Sequence, residues 1–575
     1  MSTVKNLKET AEYKKIEADI EEFVKEKLAG YSAQDIEAKT IHDSIWGSIE
    51  YSEWEMQLID SPLIQRLRDL HQVGLAMLTY PAARHSRFEH LLGVAAAAKK
   101  MCERINVNSQ GFKIEQDVCN CIVLAAILHD VGHCFYSHLS ESIYGELEDF
   151  VALRTLFNKI LQRKPKPHEI LSFIIVNTRT FQEFFFDNIN YPEKGKVKNT
   201  LFQDVGCMIV GANIEKNNKI MSYQTAIING PFDADKLDYI RRDSLTAGLA
   251  LQYDIERLFT KIQVHSIPSP TNPKKIEDRL VIKFNGVTAI EELTFCKIML
   301  FSYIYYHQKV LITETMIKDY AYGLYELDII HTYSDFLRYT DSEILTLAEK
   351  QDGANPFPEY AMLDLKKLAD DVKMRRLPKR CFEVSQSNVV SVEENVDTDY
   401  ISKFCKRIVN NCREDETYGT DKLQKDIELL SSVMTRSAKP ILDELIAELS
   451  GLTYVELLEK RKGFYNALVS AYKEKQLKVD FNMFDIYIVF PKLVNYGATT
   501  EAVVLGKDYN ELMTINDFVK LDDWAGSFNS NKWRGYVFVT NRIDKTIALE
   551  VAQQYILKGK AKLRNPSAYL KGVDD

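Results

Sequence analysis

Three histidines and an aspartate, His129, Asp130, His133 and His138, fall within ten residues of the stretch LAAILHDVGHCFYSH, residues 124–138. The whole chain has only eleven histidines, so such a cluster calls for an explanation. The run that precedes it, NCIVLAAIL, is apolar on every helical face and predicts a buried helix. His129 and Asp130 then close a buried segment, where a carboxylate is costly unless it is paired or ligates a metal. Adjacent helical residues diverge by about 100°, yet both can reach an ion lying beside the helix end. His133, four residues after His129, would share its face. Two chemistries fit: a ligand pair for a divalent metal, or a structural histidine–aspartate hydrogen bond.

Further groups with the right chemistry lie on either side. RHSRFEH, 84–90, offers His85, Arg87 and His90, and PHE, 167–169, offers His168. PFDADKLDYIRRD, 231–243, carries four aspartates among basic residues. Within it Lys236, Tyr239 and Asp243 recur at i, i+3 and i+7 and share one helical face, with Asp235 turned about 100° from Lys236. One helix could present a metal ligand and, beside it, a substrate-facing stripe. A surface helix laced with ion pairs would show the same spacing.

The elements that must position these residues are mostly helical. The chain has 575 residues, 46% of them hydrophobic, enough for a large core and roughly two to four domains. Residues 1–35 read as a helical lead-in, 36–345 as the main core, 346–450 as a helical, partly flexible connector, and 451–575 as an α+β subdomain. TIHDSIWGSIEYSE predicts strand and turn, and WEMQLIDSPLIQRLRDLHQVG a helix. Apolar residues at i, i+3 and i+4 predict helices through most of 86–345. The three prolines of SIPSPTNPKK, 266–275, predict a loop, and RLVIKF, 279–284, a short strand. Near the C-terminus FDIYIVF and GYVFVT read as strands and KTIALEVAQQYILKG as a helix.

Composition narrows the function classes. A net charge of −9 opposes nonspecific binding to nucleic acid or an anionic membrane, so a polyanionic substrate needs a local basic pocket. No apolar run reaches bilayer length. The charged start MSTVKNLKETAEYKK lacks the apolar core of a signal peptide. Nine cysteines without a CxxC pair read as reduced thiols in a cytoplasmic protein.

Taken in order and spacing, HSRFEH, LHDVGHCFYSH, PHE and DADKLDYIRRD resemble the motifs of the HD-domain phosphohydrolases. The branch they look most like is the deoxynucleoside triphosphate triphosphohydrolases, which include the SAM-and-HD-domain enzymes. IDSPLIQRLRDLHQVG followed by YPAARHSRFEH is similar to the same branch. The likeness spans about residues 40–320, and no SAM domain is read in the chain. It implies a mostly α fold, an HD-type helical core with a smaller α+β C-terminal region.

The resemblance also implies roles. His90, His129, Asp130 and Asp235 would ligate a divalent metal; two imidazoles and two carboxylates suit Mg, Mn, Fe or Zn and leave positions open for water and a phosphate oxygen. Arg87 would hold triphosphate oxygens. His133 and His168 would contact phosphate, and His138 would protonate the leaving 5′ oxygen. Glu141 would orient His138 or the water, or else cap a helix. Lys236 would contact phosphate, Tyr239 and Val73 would lie against the sugar, and Asp243 and Gln72 would read it. KIMLFSYIYYHQKV, 297–310, resembles the long helix that closes the site.

The implied reaction is attack of water on the α-phosphorus of a dNTP, releasing deoxynucleoside and inorganic tripolyphosphate. Asp60 and Arg68 match an effector position that reads the guanine of an activating nucleotide such as dGTP; a helix cap and a structural ion pair explain them equally well. A homo-oligomer, dimer to hexamer, is implied too. Trp46 departs from the pattern, which reads histidine there. The alternatives are an HD phosphohydrolase acting on another nucleotide or on nucleic acid ends, and a catalytically silent nucleotide sensor.

Overall fold

A computed structural model describes residues 6–33, 36–192, 195, 200–350, 363–391, 405–406, 408–409, 423–425, 427, 443–493, 501–506, 512–559 and 561–563. Much of the expected connector, 346–450, therefore lies outside the described residues. The chain divides into two units: Met1–Arg375 with Asn495–Ala525, and Arg376–Val494 with Gly526–Asp575.

The first unit is mostly helical. Helix α1, Ala11–Leu28, buries Tyr13, Ile16, Ile20, Phe23, Val24 and Leu28, the spacing that places apolar side chains on one face. Thr10 caps it by accepting from the Tyr13 N–H. An antiparallel hairpin follows, β1 (Lys39–Asp43) and β2 (Gly47–Tyr51), with Asp43 opposite Gly47. Gly47 sits at φ +73°, a turn conformation open to glycine.

The continuous helix expected over WEMQLIDSPLIQRLRDLHQVG is instead broken into pieces. Glu53–Ile59 ends at Asp60, a new turn starts with Pro62 at its first position, and Arg66–Asp69 is a 3-10 helix. Pro62 has no N–H to continue the first helix and is preorganised to begin the next.

Two helices form the buried centre: α2, Arg87–Asn108, and α3, Gln116–Leu128. α2 opens with a capping box between Ser86 and Glu89. α3 is buried continuously from Cys121 to Leu128, as its all-round apolar sequence predicts. Around them lie α4 (His138–Tyr144), α5 (Pro167–Asn177) and α6 (Ala234–Thr246). Helices α3 and α6 both pack on α2.

An antiparallel pair, β3 (Ile262–Pro268) and β4 (Ile276–Lys283), contains the expected RLVIKF strand. The expected loop 266–275 is shorter than its prolines suggest: Ser266–Pro268 belong to β3, and the connection spans 269–275. Strand β4 also pairs in parallel with Val503–Leu505, which brings the late segment back into this unit.

KIMLFSYIYYHQKV does not form one helix. Helix α7 (Val287–Leu300) runs into a π-helical turn over Phe301–Tyr305, and α8 (Gln308–Glu326) starts afresh. His307 caps α8, its side chain accepting from the Lys309 N–H. The aromatic and β-branched run before it favours helix weakly, so the cap prevails.

The second unit is α+β. Arg534–Val539 is the middle strand of three, antiparallel to both Lys379–Ser385 and Ile486–Val489. Helices Tyr454–Glu474 and Lys545–Leu557 bury Phe464, Leu468, Ala548 and Ala552 with Phe382, Val384, Ile488 and Val537 of the strands. The protein is thus mostly α with a smaller α+β region towards its C-terminus.

Candidate active site and metal centre

Residues from α2, α6 and the end of α3 meet around one point. His90 stands in the first turn of α2, and His129 is the C-cap of α3. Asp235 is in the first turn of α6. One ligand atom from each of His90, His129 and Asp235 lies within 4.8 Å of the others. Asp130 adjoins them, with Oδ1 3.3 Å from His129 Nε2 and Oδ2 3.8 Å from His90 Nε2.

The histidine tautomers are set from behind. His90 Nδ1 is 2.7 Å from Asp238 Oδ2, and His129 Nδ1 is 2.7 Å from the Ala126 carbonyl. Both contacts require a proton on Nδ1, which leaves each Nε2 with a lone pair. Both Nε2 atoms are buried and have no hydrogen-bond partner among the described residues; Asp235 Oδ1 is 3.1 Å from that of His90. Converging lone pairs beside two carboxylates are the donor set a divalent ion takes. Burial opposes a charge on His90, yet Asp235 and Asp238 raise its pKa to about 10. A proton and a metal ion therefore compete for Nε2.

A second cluster abuts the first. One ligand atom from each of His133, His138, Glu141 and His168 lies within 4.8 Å of the others. Glu141 Oε1 takes His138 Nδ1 at 2.8 Å and His168 Nδ1 at 2.7 Å. The His133 and His168 rings stack at 3.9 Å. Asp130 Oδ1 is 3.3 Å from His133 Nε2, so this carboxylate faces both clusters. Burial works against ionisation of Glu141, but His168 and His138 hold its carboxyl well below the ordinary range. Burial also keeps His133 well below its usual pKa, with Arg87 and His168 acting in the same direction. His138 is 62% exposed at its side chain while His133 and His168 are buried, so His138 faces the opening.

The local route to this geometry differs from the helical one. Because α3 ends at Leu128, His133 does not share a helix face with His129; a tight turn carries it in. Gly132 makes that turn fit, since a Cβ there would meet the His168 carbonyl oxygen and the Ser172 nitrogen, each at 2.4 Å. Ser172 Oγ ties the turn to α5, donating to the His129 carbonyl at 2.7 Å and accepting from Gly132 N at 2.8 Å. Arg66 donates to the His133 carbonyl at 2.9 Å. Tyr136 and Ser137 both take positive φ, 49° and 54°, a strained pair just before His138.

Arg87 donates from Nη1 to Asp130 Oδ2 at 2.6 Å and from Nε to Ser137 Oγ at 2.9 Å. Asp243 is held by His85 Nε2 at 2.8 Å and by the Tyr305 hydroxyl. Lys236 bonds the Gly230 carbonyl at 2.8 Å and pairs with Asp233. Val73 is buried, and Gln72 Oε1 is buried without a hydrogen-bond partner. Tyr239 is half-buried on α6. Asp60 pairs with Lys39 at 2.9 Å. Arg68 bonds Gln65 at 2.7 Å and lies 3.6 Å over the Phe88 ring. Those two expected effector residues thus have separate partners within the chain.

Four residues of this site were not singled out from the sequence. Asp238, one turn beyond Asp235, was visible only as one aspartate of four. Tyr305 was one tyrosine in an aromatic run. Lys297 and Lys166 are the others. Burial, with Lys236 and Lys166 nearby, pushes the Lys297 ammonium down to about 7. Lys166 is held above its ordinary value, against desolvation, by Glu169, Asp235, Glu141 and Asp130. A lone lysine in the apolar segment TFCKIML was the available signal for Lys297.

Residues 87–199 match the HD domain, and 271–434 match the HD associated region. An uncharacterised protein of Methanocaldococcus jannaschii is 32% identical over 281 residues, 49% of this chain and 48% of its own. A protein of Dictyostelium discoideum named deoxynucleoside triphosphate triphosphohydrolase SAMHD1 homolog is 28% identical over 284 residues, 49% of this chain and 48% of its own. The chain thus spans about half the length of these two relatives. A phosphohydrolase structure from Bacteroides thetaiotaomicron superposes with a TM-score of 0.52 at 15% identity, covering 88% of this chain and all of that one, and shares the fold.

Proposed function

From a chain that carries an HD domain and is similar over half its length to a SAMHD1 homolog, we propose a metal-dependent hydrolase of deoxynucleoside triphosphates. Water attacks the α-phosphorus, and deoxynucleoside and inorganic tripolyphosphate leave. The observation that carries this reading is the meeting of two partnerless Nε2 atoms, on His90 and His129, with Asp235, directly beside the His133–His138–Glu141–His168 cluster.

His90, His129, Asp130 and Asp235 hold the divalent ion, which when bound polarises a phosphoryl oxygen and acidifies water. The remaining work belongs to side chains. Glu141 fixes Nδ1 of His138, so Nε2 presents a proton to the leaving 5′ oxygen. The negative charge of a bound polyphosphate favours the protonated form of His138. His133 and His168 flank the same phosphate. Arg87, Lys166, Lys236 and Lys297 supply the local positive charge that a chain of net charge −9 otherwise lacks. Tyr239, Val73, Gln72 and Asp243 receive the sugar, and a close wall at C2′ excludes a ribonucleotide.

Lys297 gives this reading a pH signature. Only its protonated form attracts phosphate, and its pKa near 7 means that form is lost as pH rises through 7 to 9. The KM for dNTP is therefore expected to climb about tenfold across that window. Lys297→Arg, which stays charged, is expected to flatten the climb; an unchanged profile would remove Lys297 from the phosphate path.

The direct test incubates purified protein and Mn²⁺ or Mg²⁺ with each dNTP and rNTP, singly and mixed, with Asp130→Ala alongside. Deoxynucleoside and tripolyphosphate, absent in the variant, are expected. Activity confined to mixtures would support an effector site, with Asp60 and Arg68 the first residues to substitute. No cleavage of any nucleotide with either metal would overturn the proposal.

A further inference from the structure

Asp238 has every acceptor position filled. Oδ2 takes His90 Nδ1 at 2.7 Å and Arg242 Nε at 2.8 Å. Oδ1 takes Arg242 Nη2 at 2.8 Å and the indole Nε1 of Trp46 at 2.7 Å. Two oxygens offer about four lone-pair sites, so each donor has its own. The carboxylate and His90 are fully buried, which makes loss of any one donor costly.

Trp46 and its support come from the turn of the β1–β2 hairpin. Asp43 Oδ1 accepts from the Ile45 N–H at 2.8 Å and from the Trp46 N–H at 2.9 Å, shaping the turn. Asp43 Oδ2 pairs with Arg242 Nη1 at 2.9 Å. Helix α2 leaves room for the assembly at Gly93, one turn after His90. A Cβ there would lie 1.8 Å from Asp238 Oδ1 and 2.5 Å from Arg242 Nη2.

We propose that Trp46 is a positioning residue of the metal centre: its indole N–H holds the Asp238 carboxylate, which holds His90 with Nδ1 protonated and Nε2 aimed at the ion. The proposal rests on the metal-site reading above. It also accounts for Trp46 in place of the histidine of the HD pattern, since both side chains offer a ring N–H.

Mn²⁺ affinity of the full chain, read from the electron paramagnetic resonance signal of free Mn²⁺, tests this without substrate. Trp46→Phe keeps an aromatic ring on the side of Phe259 and the Arg241 guanidinium, 6.3 Å and 5.8 Å from the indole, and removes the donor together with the second ring. It is expected to weaken Mn²⁺ about tenfold, with a Tm close to that of the unsubstituted chain. Trp46→His is expected to recover most of the loss. Unchanged Mn²⁺ affinity in Trp46→Phe would overturn the proposal, and so would a loss that Trp46→His does not recover. If the unsubstituted chain bound no Mn²⁺, the metal-site reading itself would fail. Should Trp46→Phe not fold, β-(3-benzothienyl)alanine incorporated at position 46 decides: it keeps a bicyclic ring and puts sulfur in place of the indole N–H. Weakened Mn²⁺ supports the proposal there, and unchanged affinity overturns it.

Discussion

Asp235→Asn is expected to abolish metal binding and lower turnover of dNTP about a thousandfold. The side chain keeps its volume, so α6 should remain folded; what changes is the charge. Asp235 Oδ1 faces His90 Nε2 at 3.1 Å, and its carboxyl is held well below the ordinary range, against burial, by His90, His129 and Lys166. A neutral carboxamide offers an ion one weak oxygen and can turn an N–H towards His90 instead. Loss of Lewis-acid stabilisation of several kcal/mol corresponds to about three orders of magnitude in rate. Metal content by mass spectrometry and single-turnover rates check this together. A variant that keeps both its metal and its rate would remove Asp235 from the centre.

His138→Gln is expected to cost about a hundredfold or more in kcat, the range of a general acid, while leaving metal content unchanged. The geometry separates the two effects: His138 is absent from the His90–His129–Asp235 group and belongs to the Glu141 group. A leaving-group test distinguishes proton donation from positioning. The 5′ oxygen of a nucleoside needs a proton as it departs, whereas p-nitrophenolate does not. The variant should therefore cleave the p-nitrophenyl ester of tripolyphosphate at nearly the unsubstituted rate. An equal loss on both substrates would show that His138 only shapes the site. Glu141→Gln is expected to follow His138→Gln in direction, because Glu141 Oε1 is the shared acceptor for His138 and His168.

Much of the site was legible because its chemistry is carried by short motifs. The all-round apolar run before His129 announces burial, and a carboxylate at the end of a buried helix needs a partner. The spacing in DADKLDYIRRD places Asp235 near the Lys236–Tyr239–Asp243 face whatever the rest of the fold. The helical core, strand β4 and the α+β character of the second unit follow from local pattern in the same way.

Periodicity alone misplaced what turns decide. It put His133 on the helix of His129, but α3 stops at Leu128 and a turn around Gly132 delivers the side chain. It read an unbroken helix through Pro62, and the family resemblance implied one through Phe301–His307, where a missing N–H and a side-chain cap break them. Residue types and local spacing thus determined by themselves which groups could do chemistry and that the core is helical. Only the tertiary structure decided which tautomer His90 holds, that Asp238 holds it, and that Trp46, Arg242 and Gly93 surround that carboxylate. The reason is physical: hydrogen-bond direction and steric room arise between segments far apart in the chain, and no local pattern encodes them.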